Sequence, residues 1–118
     1  MIKAAVIGLG WWGNTITRCL KGSEKIKIIA GVDINELQGD SYIQEHDITF
    51  HNHIDTVLKD PNVEAVIIAT PHGLHEEMFL DSVKAGKQVF CEKPFALNSK
   101  AARKMIKEAD SKGLRIGI

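Results

Sequence analysis

Residues 2–13, Ile-Lys-Ala-Ala-Val-Ile-Gly-Leu-Gly-Trp-Trp-Gly, are the part of this chain that indicates its fold most clearly. Residues 2–8 form a short, nearly continuous apolar run, which predicts a strand buried on both faces of a parallel sheet. The run ends in a Gly-x-Gly-x-x-Gly string, made of Gly8, Gly10 and Gly13, and beyond Gly13 the apolar spacing becomes helical. A strand, a glycine-rich turn and a helix in this order indicate the start of a doubly wound α/β fold.

The same alternation continues along the rest of the chain. Further strands are predicted at residues 26–33, 48–50, 63–70, 88–91 and 114–118, and the β-branched, largely uncharged segment 63–70 is expected to be central. Helices are predicted at 35–46, 73–85 and 98–113, with a helical turn at 54–58. We therefore predict that the 118 residues form one domain, a three-layer Rossmann fold with a doubly wound parallel sheet of about six strands.

The helix at 35–46 has the weakest signal. Gly39 interrupts it, and only Leu37, Tyr42 and Ile43 offer an apolar face. We expect a short or irregular helix at this place.

The composition excludes several classes of protein. Fifteen Lys and Arg balance fifteen Asp and Glu, so the chain lacks the positive field of a non-specific nucleic-acid binder, and the basic residues of 100–107 are interpreted as an exposed helix face. Two widely separated cysteines, Cys19 and Cys91, favour a reducing cytoplasm over a disulfide framework. No apolar run reaches the ~20 residues that span a bilayer, so no membrane association is expected.

The glycine string predicts a dinucleotide site because an acidic residue, Asp33, follows Gly13 by 20 positions at the end of the second predicted strand. Gly8 permits a tight turn, Gly10 lets the backbone approach a pyrophosphate, and Gly13 lets the helix and the strand pack closely. The helix N-terminus then offers free N–H groups and a positive dipole end to the phosphates. The alternative is a structural turn that binds no ligand.

Asp33 bears on the choice of cofactor. A carboxylate at this strand end accepts hydrogen bonds from the adenosine ribose hydroxyls and repels the additional phosphate of NADP. The following residues, Ile34 and Asn35, supply no arginine to that phosphate. We therefore expect NAD rather than NADP, with Ile34 beside the nucleotide; the alternative for Asp33 is a turn former at a strand end.

Trp11 and Trp12 occupy the variable positions of the glycine string, where their backbone N–H groups are expected to face the phosphates. Trp12 shares a helix face with Ile16, which favours a place in the core over a role as a cofactor platform. Trp11 is expected either to cover the nucleotide or to contact a partner.

A second cluster follows the fourth predicted strand, at the end of the sheet where ligands bind in doubly wound folds. It contains Thr70, His72 and His75, and its histidines are expected to orient a nicotinamide or a substrate. The alternative is a purely structural role at the start of the next helix, in capping or packing, for which His75 is the better suited of the two and His72 the less. No further ligand completes a zinc site with the two histidines, so no metal is expected.

A third cluster, Glu92-Lys93-Pro94, follows the fifth predicted strand. A lysine at this edge would donate a hydrogen bond to a substrate hydroxyl and stabilise negative charge during hydride transfer, which makes Lys93 the candidate catalytic residue. Pro94 restricts the residues before it and is a candidate for a cis peptide bond. By themselves the three residues are also compatible with an ordinary charged turn.

Together, residues 8–13, Ala69-Thr70-Pro71-His72 with His75, and residues 86–94, Gly-Lys-Gln-Val-Phe-Cys-Glu-Lys-Pro, resemble the N-terminal domain of the glucose-fructose oxidoreductase and inositol dehydrogenase family (Gfo/Idh/MocA). The resemblance covers essentially the whole chain. It implies NAD(P)-dependent oxidation or reduction at a CH–OH carbon of a sugar, polyol or related compound. It also implies that Lys93 matches the active-site lysine of the family, with Glu92 and His72 near the nicotinamide.

Members of this family continue into a substrate-binding domain that also supplies the acid/base residue and the usual oligomer surface. We therefore expect residues 1–118 to be the N-terminal part of a longer enzyme, inactive by themselves and homo-oligomeric only with the remaining domain. The alternative is a non-catalytic, stand-alone NAD-binding sensor or regulatory module.

Overall fold

The computed structural model describes residues 1–118, in which six strands alternate with five α-helices. The strands are β1 (Ile2–Ile7), β2 (Ile26–Val32), β3 (Thr49–His51), β4 (Ala65–Ile68), β5 (Gln88–Cys91) and β6 (Ile116–Gly117). The helices are α1 (Trp11–Leu20), α2 (Glu36–His46), α3 (Ile54–Leu58), α4 (His75–Lys84) and α5 (Ser99–Ser111), and a 3₁₀ turn, His72–Leu74, leads into α4. The predicted α/β alternation is confirmed.

The six strands form one sheet in the order β3-β2-β1-β4-β5-β6, and all the pairs are parallel. β4 lies between β1 and β5, so its predicted central position is confirmed. The strand order runs outward from β1 in one direction and from β4 in the other. This reversal leaves a crevice at the carboxyl ends of β1 and β4, which is where doubly wound sheets bind their ligands.

Alternate residues of the central strands face opposite sides of the sheet, as their period of two requires. Ile7 packs in the larger core with side chains of α3, α4 and α5, whereas Val6 packs in the smaller core with Tyr42 of α2 and with α1. Helices therefore lie on both faces, which confirms the three-layer Rossmann fold.

One face of the sheet is covered only in part. α1 and α2 pack on β1, β2 and β3, while the same face of β4, β5 and β6 forms an open apolar groove of about 550 Å³. Trp12 and Ile16 line this groove together with Phe90. Trp12 is 42% exposed, so the prediction that it lies in the core is wrong. It does share a face with Ile16, but that face meets no covering layer above β4 and β5.

The helix at 35–46 is more regular than the sequence predicts. α2 has 11 residues and begins after Asn35, whose side chain accepts hydrogen bonds from the N–H groups of Leu37 and Gln38. Gly39 is not a helix breaker here. A Cβ at Gly39 would lie 2.3 Å from the ring of Phe50, so the glycine allows α2 to pack closely on β3.

Other boundaries shift by a few residues. α1 begins at Trp11, inside the glycine string rather than after Gly13. The predicted helix at 73–85 is a 3₁₀ turn followed by α4. The longest helix, α5, has 13 residues, and no helix combines the length and the apolar character that crossing a membrane requires.

Candidate cofactor-binding site

The carboxyl ends of four strands lie side by side. The pairing of β2, β1, β4 and β5 aligns their last residues in one row, Val32, Ile7, Ile68 and Cys91. The segments that follow these strands therefore leave the sheet at one edge. They contain the glycine string, Asp33, the Thr70 and histidine cluster, and Glu92-Lys93-Pro94, so the fold brings together all the clusters that the sequence singles out.

Two glycines of the string are required by close packing. Gly8 has a φ of 97°, and a Cβ there would lie 2.8 Å from the carbonyl carbon and oxygen of Ala69. A Cβ at Gly13 would lie 1.8 Å from the carbonyl oxygen of Gly8. The turn, α1 and the segment after β4 can therefore approach one another only because these side chains are absent.

Gly10 is different, because its Cβ position is open. No heavy atom lies within 4 Å of a Cβ built there, and its φ of −70° is ordinary for any residue. The N–H groups of Gly10, Trp11, Trp12 and Gly13 donate no hydrogen bond within the chain. Four unpaired donors at the positive end of the α1 dipole form a surface suited to an anion such as a pyrophosphate.

Asp33 holds the glycine string in place. Its Oδ2 accepts a hydrogen bond from the N–H of Leu9 (2.9 Å), and its Oδ1 accepts one from the N–H of Asn35 (2.8 Å). Asp33 is thus a strand-end turn former that also ties β2 to the glycine string. A carboxylate has about four acceptor positions, so these two contacts leave capacity for ribose hydroxyls.

Two of the most exposed apolar side chains of the molecule lie on the β2 side of this edge. Ile34, next to Asp33, is 90% exposed, and Trp11 is 79% exposed with its ring stacked on that of Trp12. A shallow cleft of about 330 Å³ separates the glycine string from α2, and Trp11 and Leu37 line it. Apolar side chains beside an open cleft are suited to the flat face of a base.

The segment after β4 presents one histidine to solvent and buries the other. Thr70 is half-buried, and its hydroxyl donates to the sulfur of Met78 at 3.3 Å. His72 is exposed, and its ring lies edge-on to that of His75 at a centroid distance of 5.9 Å. His72 is therefore the histidine of this cluster that is accessible to a ligand.

His75 is 1% exposed, and both of its ring nitrogens face backbone carbonyls. Nδ1 lies 2.9 Å from the oxygen of Pro94, and Nε2 lies 2.8 Å from the oxygen of Thr70. Carbonyl oxygens only accept hydrogen bonds, so both contacts are made together only when the ring carries both protons. His75 thus packs at the start of α4 and links the segment after β4 to the turn after β5.

The turn after β5 carries the candidate catalytic lysine. Glu92 is half-buried and its N–H donates to the oxygen of Ile68 (3.0 Å), whereas Lys93 is exposed. The Lys93–Pro94 peptide bond is cis, as the sequence suggests. Burial, together with the charge of Glu92, raises the pKa of the neighbouring Cys91 thiol to about 11, so this thiol stays protonated and is a poor nucleophile.

Sequence reasoning missed two residues near the glycine string. Asn14 contacts the string directly, and His46 contacts Asn14. Asn14 carries a weak local signal, since it is a polar residue immediately after the last glycine. His46 carries none, because it lies 32 positions away and only the packing of α2 on α1 brings it near. No group of three or more His, Cys, Asp or Glu side chains in residues 1–118 is arranged to hold a metal ion.

Comparisons with known proteins agree with this geometry. A family model described as "Oxidoreductase family, NAD-binding Rossmann fold" (GFO_IDH_MocA) matches residues 2–118. The chain is 35% identical over 118 residues to inositol 2-dehydrogenase of Pseudomonas savastanoi pv. phaseolicola, covering 98% of this chain and 35% of that protein. It is 34% identical over 110 residues to 2,7-anhydro-N-acetylneuraminate hydratase of Mediterraneibacter gnavus, covering 93% of this chain and 29% of that protein. The chain thus spans about a third of the length of these relatives.

A solved structure shares both the fold and part of the sequence. GenD2 from gentamicin A biosynthesis, in complex with NAD, superposes with a TM-score of 0.94 at 27% identity, over 98% of this chain and 33% of that one. The family match over nearly every residue and the superposition lead to one conclusion. The chain belongs to the Gfo/Idh/MocA oxidoreductase family, and residues 2–118 correspond to the NAD-binding Rossmann domain of that family.

Proposed function

We propose that this domain binds NAD in preference to NADP and serves as the cofactor-binding part of an enzyme that oxidises or reduces a CH–OH carbon of a sugar, a polyol or a related compound. One observation carries the proposal. The four N–H groups of residues 10–13 have no partner within the chain, the Cβ position of Gly10 is open, and Asp33 is tied to the same turn. This arrangement offers donors to a pyrophosphate and a carboxylate to an adenosine ribose.

Different residues at this edge of the sheet would contact different parts of the cofactor. Residues 10–13 would hold the pyrophosphate. Asp33 and Ile34 would contact the adenosine, and His72 and Glu92 would lie near the nicotinamide. A bound nicotinamide would donate or accept the hydride. His75 would keep the segment after β4 and the turn after β5 at a fixed separation, since it contacts a carbonyl in each.

Lys93 is the residue that we assign to catalysis. Its ammonium group is exposed at the carboxyl end of β5, where its Nζ would donate a hydrogen bond to the substrate oxygen. A cation at that point stabilises negative charge as it develops on the oxygen and keeps the oxygen oriented.

Intrinsic fluorescence tests cofactor binding directly. Trp11 and Trp12 are the two tryptophans of the chain, and both belong to the glycine string, so their emission reports on the surroundings of this string. We expect NADH to quench it saturably, and NADPH to do so at higher concentration. Absence of quenching and of any ligand-induced rise in melting temperature at millimolar NADH would contradict the proposed function.

Cofactor preference should depend on Asp33. Asp33→Ser retains a side-chain oxygen near the N–H of Leu9 but removes the carboxylate charge, so the ratio of the NADPH Kd to the NADH Kd is expected to fall about tenfold. The ratio is the decisive readout, because a general loss of stability would weaken both ligands together.

Glu36→Gln is the matched control for that change. It removes an exposed carboxylate three positions along, in the first turn of α2, and should leave the ratio within about twofold of the original. An unchanged ratio in Asp33→Ser would remove Asp33 from its proposed role in cofactor choice.

Lys93→Met, made in the longer polypeptide that contains this domain, is expected to lower kcat about 1000-fold while leaving the Kd for NADH nearly unchanged. The reason is that Lys93 is assigned to the substrate oxygen and not to the pyrophosphate. Steady-state kinetics and NADH titration separate the two effects. Lys100→Met, an exposed charge on α5, serves as the control, and a kcat for Lys93→Met close to that of this control would rule out catalysis by Lys93.

The proposal that the domain works within a longer polypeptide is supported by the length of its relatives and by the open apolar groove over β4, β5 and β6. The mass of the protein in its source cell tests it. A mass well above 13.0 kDa is expected, and a mass at that value would favour a stand-alone NAD-binding module.

A further inference from the structure

The side chain of Asn14 binds the glycine string that it follows. Its Nδ2 donates to the carbonyl oxygen of Leu9 (2.6 Å) and to that of Gly10 (3.1 Å). Both partners only accept hydrogen bonds, so the NH₂ end of the amide must face the string. The Oδ1 end therefore faces away from it, toward α2.

His46, the last residue of α2, completes the contact. Its Nε2 lies 2.9 Å from Oδ1 of Asn14, and because that oxygen only accepts, Nε2 must carry the proton. Its side chain is 4% exposed, and its ring packs against that of Tyr42 at a centroid distance of 4.7 Å. Burial lowers the pKa of His46 against the opposing effect of Glu45, which favours the neutral ring, and the contact with Asn14 then puts its one proton on Nε2.

These contacts determine the direction of two N–H groups. A peptide group is planar and trans, so the N–H of each residue points opposite to the carbonyl before it. When Asn14 holds the carbonyls of Leu9 and Gly10, the N–H groups of Gly10 and Trp11 must point the other way. Neither of these donates a hydrogen bond within the chain.

We propose that Asn14 and His46 are positioning residues for cofactor binding, which fix the two peptide groups so that the N–H groups of Gly10 and Trp11 are oriented toward the pyrophosphate before it arrives. The inference rests on the proposed function and deepens it. Without these side chains the Leu9–Gly10 peptide group rotates more freely, and ordering it on binding costs affinity. The Gly10–Trp11 peptide group keeps the hydrogen bond from the N–H of Asn14 to the oxygen of Gly10 (3.0 Å), so it depends less on the side chain. The carbonyl oxygen of Leu9 would also be free to turn toward the phosphates and repel them.

The experiment compares three ligands with the 118-residue chain: NADH, ADP-ribose and adenosine. NADH and ADP-ribose contain the pyrophosphate, and adenosine does not. Asn14→Ala is expected to weaken NADH and ADP-ribose about tenfold each, and adenosine less than about twofold. Ser111→Ala is the control, since it removes a side-chain hydrogen bond to a backbone carbonyl, that of Glu108, on α5 rather than on the glycine string or α1.

Two changes at His46 isolate the donated hydrogen bond. His46→Phe keeps a flat ring against Tyr42 but has no donor, whereas His46→Gln places an amide N–H near the former Nε2. We expect His46→Phe to lower NADH affinity several-fold and His46→Gln to recover most of it. This pair decides the matter even if Asn14→Ala fails to fold.

The outcomes separate the inference from the function on which it rests. If the unchanged chain binds no NADH, the proposed function and the inference both fail. If the unchanged chain binds NADH and folded Asn14→Ala binds it equally well, the inference alone is overturned. Equal losses for adenosine and NADH, or equal affinities of His46→Phe and His46→Gln, would also overturn it, because they indicate general damage rather than orientation of the two N–H groups.

Discussion

Gly10→Ala is expected to weaken NADH binding at least about 100-fold while leaving the domain folded. The Cβ would occupy an open position at the start of α1, where no heavy atom lies within 4 Å apart from those of Gly10 and its two chain neighbours. A methyl group at that point prevents a pyrophosphate from reaching the backbone donors. Titration of tryptophan fluorescence with NADH measures the loss.

The stability of Gly10→Ala separates this effect from damage to the fold. Gly10 has a φ of −70°, which alanine adopts readily, so the free energy of unfolding of Gly10→Ala in urea should change by less than about 1 kcal/mol. Gly22→Ala is the converse control. Gly22 has a φ of 83°, so the change is expected to cost about 1 kcal/mol of stability, but it should bind NADH like the original chain. Tight NADH binding by Gly10→Ala would show that the cofactor does not approach this part of the backbone.

Gly13→Ala is expected to lower the free energy of unfolding by about 3 kcal/mol, a large share of the ~5–15 kcal/mol that stabilises an ordinary domain. Its Cβ would lie 1.8 Å from the carbonyl oxygen of Gly8 and 2.9 Å from the carbonyl carbon. These are backbone atoms, and Gly8 cannot easily move, because its N–H donates to Val32 at 2.8 Å. The first turn of α1 must therefore shift away from β1.

Urea unfolding of the two alanine variants provides a direct comparison within one motif. Gly10 and Gly13 are three residues apart, but only the Cβ at Gly13 meets other atoms. We expect a large loss of stability for Gly13→Ala and almost none for Gly10→Ala. If Gly13→Ala unfolds within about 0.5 kcal/mol of the original chain, the close approach of α1 and β1 is not a constraint on the fold.

Much of the fold could be predicted from local patterns. The apolar runs of β1 and β4 identify buried parallel strands, and the glycine string marks the turn between β1 and α1. The prediction was weakest for α2, where Gly39 suggested an interruption. The absence of a side chain at Gly39 leaves room for the ring of Phe50 in β3, and no local pattern reveals that contact.

Trp12 illustrates the opposite error. Its spacing with Ile16 correctly places both on one face of α1, and the two line the same groove. Periodicity shows which residues share a face but not whether another layer covers that face. Because β4, β5 and β6 carry no helix on this side, Trp12 remains 42% exposed.

Spacing along the chain and local backbone preferences are enough to predict the succession of strands and helices, the glycine string with Asp33, and the members of each cluster. How the clusters contact one another depends on the tertiary structure. The link from Asp33 to Leu9, from His46 to Asn14 and from His75 to Pro94 each joins residues 19 to 32 positions apart. Such contacts form when parallel strands align their carboxyl ends and helices pack between them, and no local pattern specifies them.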